Sequence, residues 1–128
     1  TWSWEEQVNK GDKGEHWVGV RNFQAAKNMK SMKIGDLGFF YHSVNEKRIV
    51  GIVEVIKEYY PDHTDSKGIF GMVDIKAVKT INKTITLKEI KQNSSLKEMK
   101  LVRQSRLSVS PVRMKEWEII LKMCETTL

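Results

Sequence analysis

Three histidines and a single cysteine are the chain's best candidates for acid–base or nucleophilic work. Nucleophilic catalysis needs a base beside the nucleophile and a third group that orients the base. His16 and His63 stand in polar stretches that read as loops, and only His42, in Phe39-Phe40-Tyr41-His42-Ser43, falls inside a strand pattern. Cys124 lies on the apolar face of the last helical segment, where a packed core thiol is expected. His63-Thr64-Asp65 offers two potential metal ligands in a loop, with no others at a fixed spacing. There is no Gly-x-Ser-x-Gly elbow and no phosphate-cradling glycine loop. No catalytic residue, metal site or cofactor is therefore expected. An enzyme acting on nucleic acid would have to rely on Tyr41, His42 and Arg103.

Recognition of a nucleobase asks for different parts, namely an aromatic face to stack on and hydroxyls, amides or guanidinium groups to read the base edge. Such parts are concentrated in three stretches. The first, 16 to 22, offers Trp17, Arg21 and Asn22; the second, 39 to 43, offers Tyr41, His42 and Ser43; the third offers Arg103, Gln104, Ser105, Arg106 and Ser108. Each also has a purely structural reading. Trp17 and Tyr41 could be core residues, Arg21 could be tied to a carboxylate, and Ser43 could cap a turn. In the third stretch Leu107 and Val109 can anchor one face while Arg106, Ser108 and Ser110 point away. Behind it, Ser110-Pro111 reads as the start of a helix whose free N–H groups would form an anion site. The alternative is that its arginines pair with Glu116 or other carboxylates and its serines are caps.

The elements that must position these groups follow from periodicity. Ser3-Trp4-Glu5-Glu6 fits a capping box and starts a helix running to about Asn9. Residues 10 to 15 form a polar turn. Asn22 caps a helix of roughly ten residues, with Phe23, Ala26 and Met29 at helical spacing. Residues 37 to 44 and 48 to 60 are strands joined by a turn at Asn45-Glu46-Lys47, and Gly51 marks a bulge or bend in the second. A third strand covers 70 to 81. Thr86-Leu87-Lys88-Glu89 and Ser95-Leu96-Lys97-Glu98 both match capping boxes and predict two short helices in tandem. A helix from 111 to about 124 places Val112, Met114, Trp117, Ile120, Leu121 and Cys124 on one face. The sum is an α+β domain with a curled, mainly antiparallel, barrel-like sheet and flanking helices.

The composition fits one soluble domain: 40% hydrophobic and 30% charged residues, with no apolar run near the ~20 residues that cross a bilayer. No membrane association is expected. The lone cysteine excludes an intramolecular disulfide and favours a reducing compartment. With no leader, the cytoplasm is expected, or the nucleus in a eukaryote. Thr1 reads as the cut edge of a longer chain. The net charge of +6 is unevenly placed. Residues 76 to 115 hold eleven basic and two acidic residues, a segment charge of +9. Such asymmetry suits a polyanion, with Lys76, Lys79, Lys100 and Arg113 as phosphate-binding candidates.

Taken in order and spacing, the stretches 16–43, 49–55, 59–65 and 101–112 closely resemble the EVE domain, a member of the PUA-like superfamily related to the YTH readers of methylated adenine. The resemblance runs from Trp4 to about Met123. It implies a PUA-like curled, mainly antiparallel β-barrel with flanking helices, and a pocket for a modified nucleobase in DNA or RNA. Carried over by position, that pocket would use Trp17, Arg21, Asn22, Tyr41, His42, Ser43 and the Arg103–Ser108 segment. Residues 1–128 would form a single such domain. Family members usually begin with a strand ending in Lys-Ser-Glu-Pro, and this chain starts after it. The expected function is non-enzymatic binding of nucleic acid bearing a modified or flipped base. The alternative from another class is a small-molecule or nucleotide sensor using the same pocket.

Overall fold

Ser3 Oγ accepts from the Glu6 N–H and Glu6 Oε1 accepts from the Ser3 N–H, both at 3.1 Å. This reciprocal cap starts helix α1, Trp4–Asn9, as the sequence predicts. The computed structural model describes residues 2–43, 46–104 and 106–128. After α1 come a 3-10 turn, Gly11–Lys13, and a two-residue strand β1, Glu15–His16. Helix α2, Phe23–Lys30, is capped by the Asn22 side chain, which accepts from the Ala25 N–H at 3.0 Å. Strands β2, Leu37–His42, β3, Arg48–Pro61, and β4, Gly71–Thr86, form the body of the sheet. Helices α3, Leu87–Gln92, α4, Lys100–Arg103, and α5, Met114–Met123, complete the described chain.

The sheet is antiparallel, in the order β1-β4-β3-β2. It curls without closing into a barrel among the described residues. Register shifts supply the curl, four of them between β3 and β4 and one between β2 and β3 at Phe40/Tyr41. Gly51 sits in one of these irregularities. A Cβ there would lie 2.2–2.4 Å from the Trp4 ring carbons, so the glycine exists to admit the indole. Trp4 also donates from Nε1 to Thr80 Oγ1 at 2.9 Å and tilts against Phe40 with centroids 5.2 Å apart.

Both sheet faces are covered. Val50, Val53 and Val73 pack with Trp4, Ala25, Met29 and Val109 in one cluster. Ile49, Ile52, Ile81 and Ile85 pack with Ile90, Leu96, Ile120 and Cys124 in the other. Strand alternation sends Phe40 to the first and Phe39 and Tyr41 to the second, and Phe39 stacks on Trp117 at 4.1 Å.

Six expectations need correction. His16 is not in a loop but ends β1, opposite Asp74. The third strand runs five residues further, to Thr86, because Ile81 and Ile85 are buried in the second cluster. Ser95 caps no helix: Asn93 Oδ1 accepts from the Ser95 N–H at 3.0 Å, starting a 3-10 turn at Ser94–Leu96, and the next helix waits until Lys100. The last helix starts at Met114, not Pro111, since Glu116 accepts from the Arg113 N–H at 3.0 Å and makes Arg113 the cap. Met114 is consequently 70% exposed and leaves the apolar face on which the sequence places it, and Phe23, at the first position of α2, is 73% exposed while Ala25, Ala26 and Met29 form the buried face.

Candidate nucleobase site

The segment 103 to 109 is tied to helix α2. Val109 is buried in the first core cluster and Leu107 packs against it. Asn28 Nδ2 donates to Val109 O at 2.8 Å, and Gln24 Nε2 donates to Gln104 Oε1 at 3.1 Å. Between α2 and this segment lies a cleft of roughly 400 Å3 lined by Asn22, Gln24, Arg103, Gln104, Arg106 and Leu107. Among the described residues its lining contains two guanidinium groups, three carboxamides and no carboxylate, and Glu98 meets the Arg103 guanidinium beside it. Asn22, Arg103, Gln104 and Arg106, expected from sequence, are thereby brought together across more than eighty residues of chain. Ser108 is exposed just beyond them, and Ser105 lies outside the described residues.

The other predicted residues do not line this cleft. Trp17 is half-buried against the first core cluster, with its backbone N–H donating to Val73 O at 2.9 Å. Arg21 is tied to a carboxylate: Nη1 donates to Asp62 Oδ2 at 3.0 Å and Nη2 to Thr64 Oγ1 at 3.1 Å. Tyr41 packs against the second cluster, and burial pushes its phenol pKa up. His42 Nε2 accepts from the Trp4 N–H at 3.0 Å, so its ring proton sits on Nδ1, 2.8 Å from Glu46 Oε2. Ser43 is exposed in the turn after β2. Tyr41, His42 and Arg103 are thus not assembled into one constellation, and Arg103 Nη2 donates instead to Glu98 Oε1 at 2.8 Å.

The phosphate-binding candidates divide in two. Lys76 faces Asp12 at 3.8 Å and Glu54 at 4.0 Å, Lys79 Nζ donates to Thr127 O at 2.8 Å, and Arg113 Nη2 donates to Glu116 Oε2 at 2.7 Å. Lys100 is exposed on α4, three residues before Arg103 and therefore on the same side of the helix. The anion site expected at the last helix is filled by Glu116: burial works against its charge, but the Arg113 guanidinium and N–H outweigh it and hold the carboxyl below its usual range.

Sequence reasoning missed Asp62 as the organiser of the Trp17–Asn22 turn. Its carboxylate is fully buried and accepts from the Gly19 N–H, from Arg21, and from the N–H and hydroxyl of Thr64. Burial alone would raise its pKa, yet these donors, led by the Thr64 hydroxyl, hold it far below the usual carboxylate range. Also missed is a polar cluster on the β1 side, where Asp74 Oδ1 meets His16 Nδ1 at 2.8 Å and accepts from the Tyr60 hydroxyl. The partners are distant in sequence, and only the antiparallel register of β1, β3 and β4 brings them together.

A family model of the EVE domain matches residues 1–123. The chain belongs to the EVE domain family. This EVE domain is 38% identical over 132 residues to thymocyte nuclear protein 1 of Gallus gallus, an alignment covering 85% of the chain and 54% of the relative. It thus spans about half the length of that curated relative. Among solved structures, a protein from Agrobacterium tumefaciens superposes with a TM-score of 0.94 at 47% identity, over 98% of this chain and 86% of that one. The human THYN1 protein, in complex with 5-methylcytosine-containing DNA, superposes with a TM-score of 0.91 at 31% identity, over 99% of this chain and 88% of that one. The fold is accordingly the PUA-like curled sheet with flanking helices that the EVE resemblance implies. No helix among the described residues is long and apolar enough to cross a membrane.

Proposed function

We propose that this EVE domain is a non-enzymatic reader of nucleic acid carrying a modified base, with 5-methylcytosine in DNA as the first candidate mark. The observation that carries the reading is the cleft between α2 and residues 103–107, cationic, rich in carboxamides and, among the described residues, lined by no carboxylate. Asn22, Gln24 and Gln104 can read a base edge, while Arg103, Arg106 and Lys100 take the flanking phosphates. The human relative's complex with 5-methylcytosine-containing DNA supports the choice of ligand class. Trp17 and Arg21 act through the turn that ends in Asn22.

The same cleft could serve a sensor of free nucleotides, and fluorescence anisotropy separates the two readings. A reader binds a methylated oligonucleotide saturably, loses affinity as salt rises, and loses it again in Arg106→Ala, a substitution at an exposed residue. A sensor binds the free nucleoside as tightly as the oligonucleotide and responds little to salt. That second pattern would sink the reader hypothesis.

A further inference from the structure

Among the described residues Phe23 is the most exposed large apolar side chain, at 73%. Its side chain does not line the cleft, but its backbone stands in the cleft's α2 wall, between Asn22 and Gln24, which do. Its ring lies against Phe70, with centroids 5.0 Å apart and planes tilted by 38°. Phe70 in turn carries the Arg21 guanidinium, 5.8 Å from the ring centre. The backbone that carries each ring is anchored. Phe23 sits on the first turn of the Asn22-capped helix α2, and Asp65 Oδ2 accepts from the N–H groups of Ile69 and Phe70 at 2.9 and 2.7 Å. A small apolar surface thus stands on anchored backbone beside the cleft.

We propose that Phe23 and Phe70 form a stacking platform, taking the base adjacent to the one held in the cleft. The proposal rests on the reading of the cleft as a base site and adds a contact to it. The occupant follows from continuity and charge. A strand whose phosphates lie on Arg103 and Arg106 brings its neighbouring base to the side of the cleft where Phe23 stands. An exposed aromatic face accepts any base, because every base presents a π-face. The platform therefore contributes affinity for a strand without selecting its sequence.

The test compares a short DNA single strand centred on 5-methylcytosine with the 5-methyl-2′-deoxycytidine mononucleotide, each titrated against the wild-type chain, Phe23→Ala and Phe23→Tyr. Phe23→Ala should weaken the strand by about 5- to 150-fold, the range that base–aromatic stacking carries, and leave the mononucleotide unchanged. Phe23→Tyr should restore the strand, and thermal melts of all three proteins should coincide. Unchanged strand affinity in Phe23→Ala overturns the platform. An equal loss for strand and mononucleotide also overturns it, because Phe23 then belongs to the cleft. So does a self-association in sedimentation that Phe23→Ala abolishes, which assigns the patch to a second copy of the chain. A wild-type protein that binds the mononucleotide with no gain from the strand defeats the platform alone, and one that binds neither defeats the base-reading function itself.

Discussion

Asp62 shows how a single buried carboxylate can shape a site it does not line. It has no exposed side-chain surface, and its four donors come from the Trp17–Asn22 turn and from Thr64. Asp62→Asn removes the charge and turns one acceptor into a donor facing donors, which should cost about 2 kcal/mol of stability and weaken ligand binding by displacing Asn22. Chemical denaturation with parallel binding titrations checks both. The pKa direction also fixes the sign of the acid response. A carboxyl depressed in the folded state contributes stability that is fully present above its unfolded value, near pH 3.9, and lost as pH falls through its folded value. Wild-type stability should therefore fall more steeply than that of Asp62→Asn below about pH 4. Cys124 behaves in the opposite sense: burial pushes its thiol up to about 11, so at neutral pH it should resist thiol reagents in the native protein and react only on unfolding. Sequence made the thiol's burial legible through helical spacing. Asp62 was legible only as a member of a family motif, because its partners lie up to forty-three residues away.

At the scale of elements, the sequence spoke clearly wherever the deciding interaction was local. The capping boxes at Ser3/Glu6 and Thr86/Glu89 both form, and Asn22 caps α2. Thr86→Ala should accordingly cost about 1 kcal/mol, measurable in urea denaturation. Reading failed where a competing local bond or a distant contact won. Asn93 captures the amide of Ser95, and the Glu116–Arg113 contact delays the last helix past Pro111. The two-residue strand β1 is too short to carry any periodicity. Gly51 lies between these cases, since its presence signalled a bend but its partner, the Trp4 ring, was visible only in the fold. Gly51→Ala should destabilise by about 2 kcal/mol or more, since an indole held by Thr80 and Phe40 cannot yield to the new methyl.

For the whole molecule, charge was legible as an excess and not as a surface. The basic segment from 76 to 115 spreads over β4, α3, α4 and the entry to α5, and Lys76, Lys79 and Arg113 are met by partners within the protein. What the fold concentrates is smaller: Lys100 and Arg106 near the cleft, with Arg103 beside them sharing its guanidinium with Glu98. With about three phosphates neutralised, the plot of log affinity against log salt should have a slope near −2 for a single strand, and a much steeper slope would mean that the remaining lysines engage as well. The central claim, that the cleft reads a base modification, is tested most directly with two oligonucleotides that differ only by the methyl group on one cytosine, titrated against the same protein at fixed salt. The methylated strand should bind more tightly, with the difference abolished by Gln104→Ala at an unchanged melting transition. Equal affinity for the two strands, in a protein that binds both, would contradict it and leave a basic surface without a mark to read.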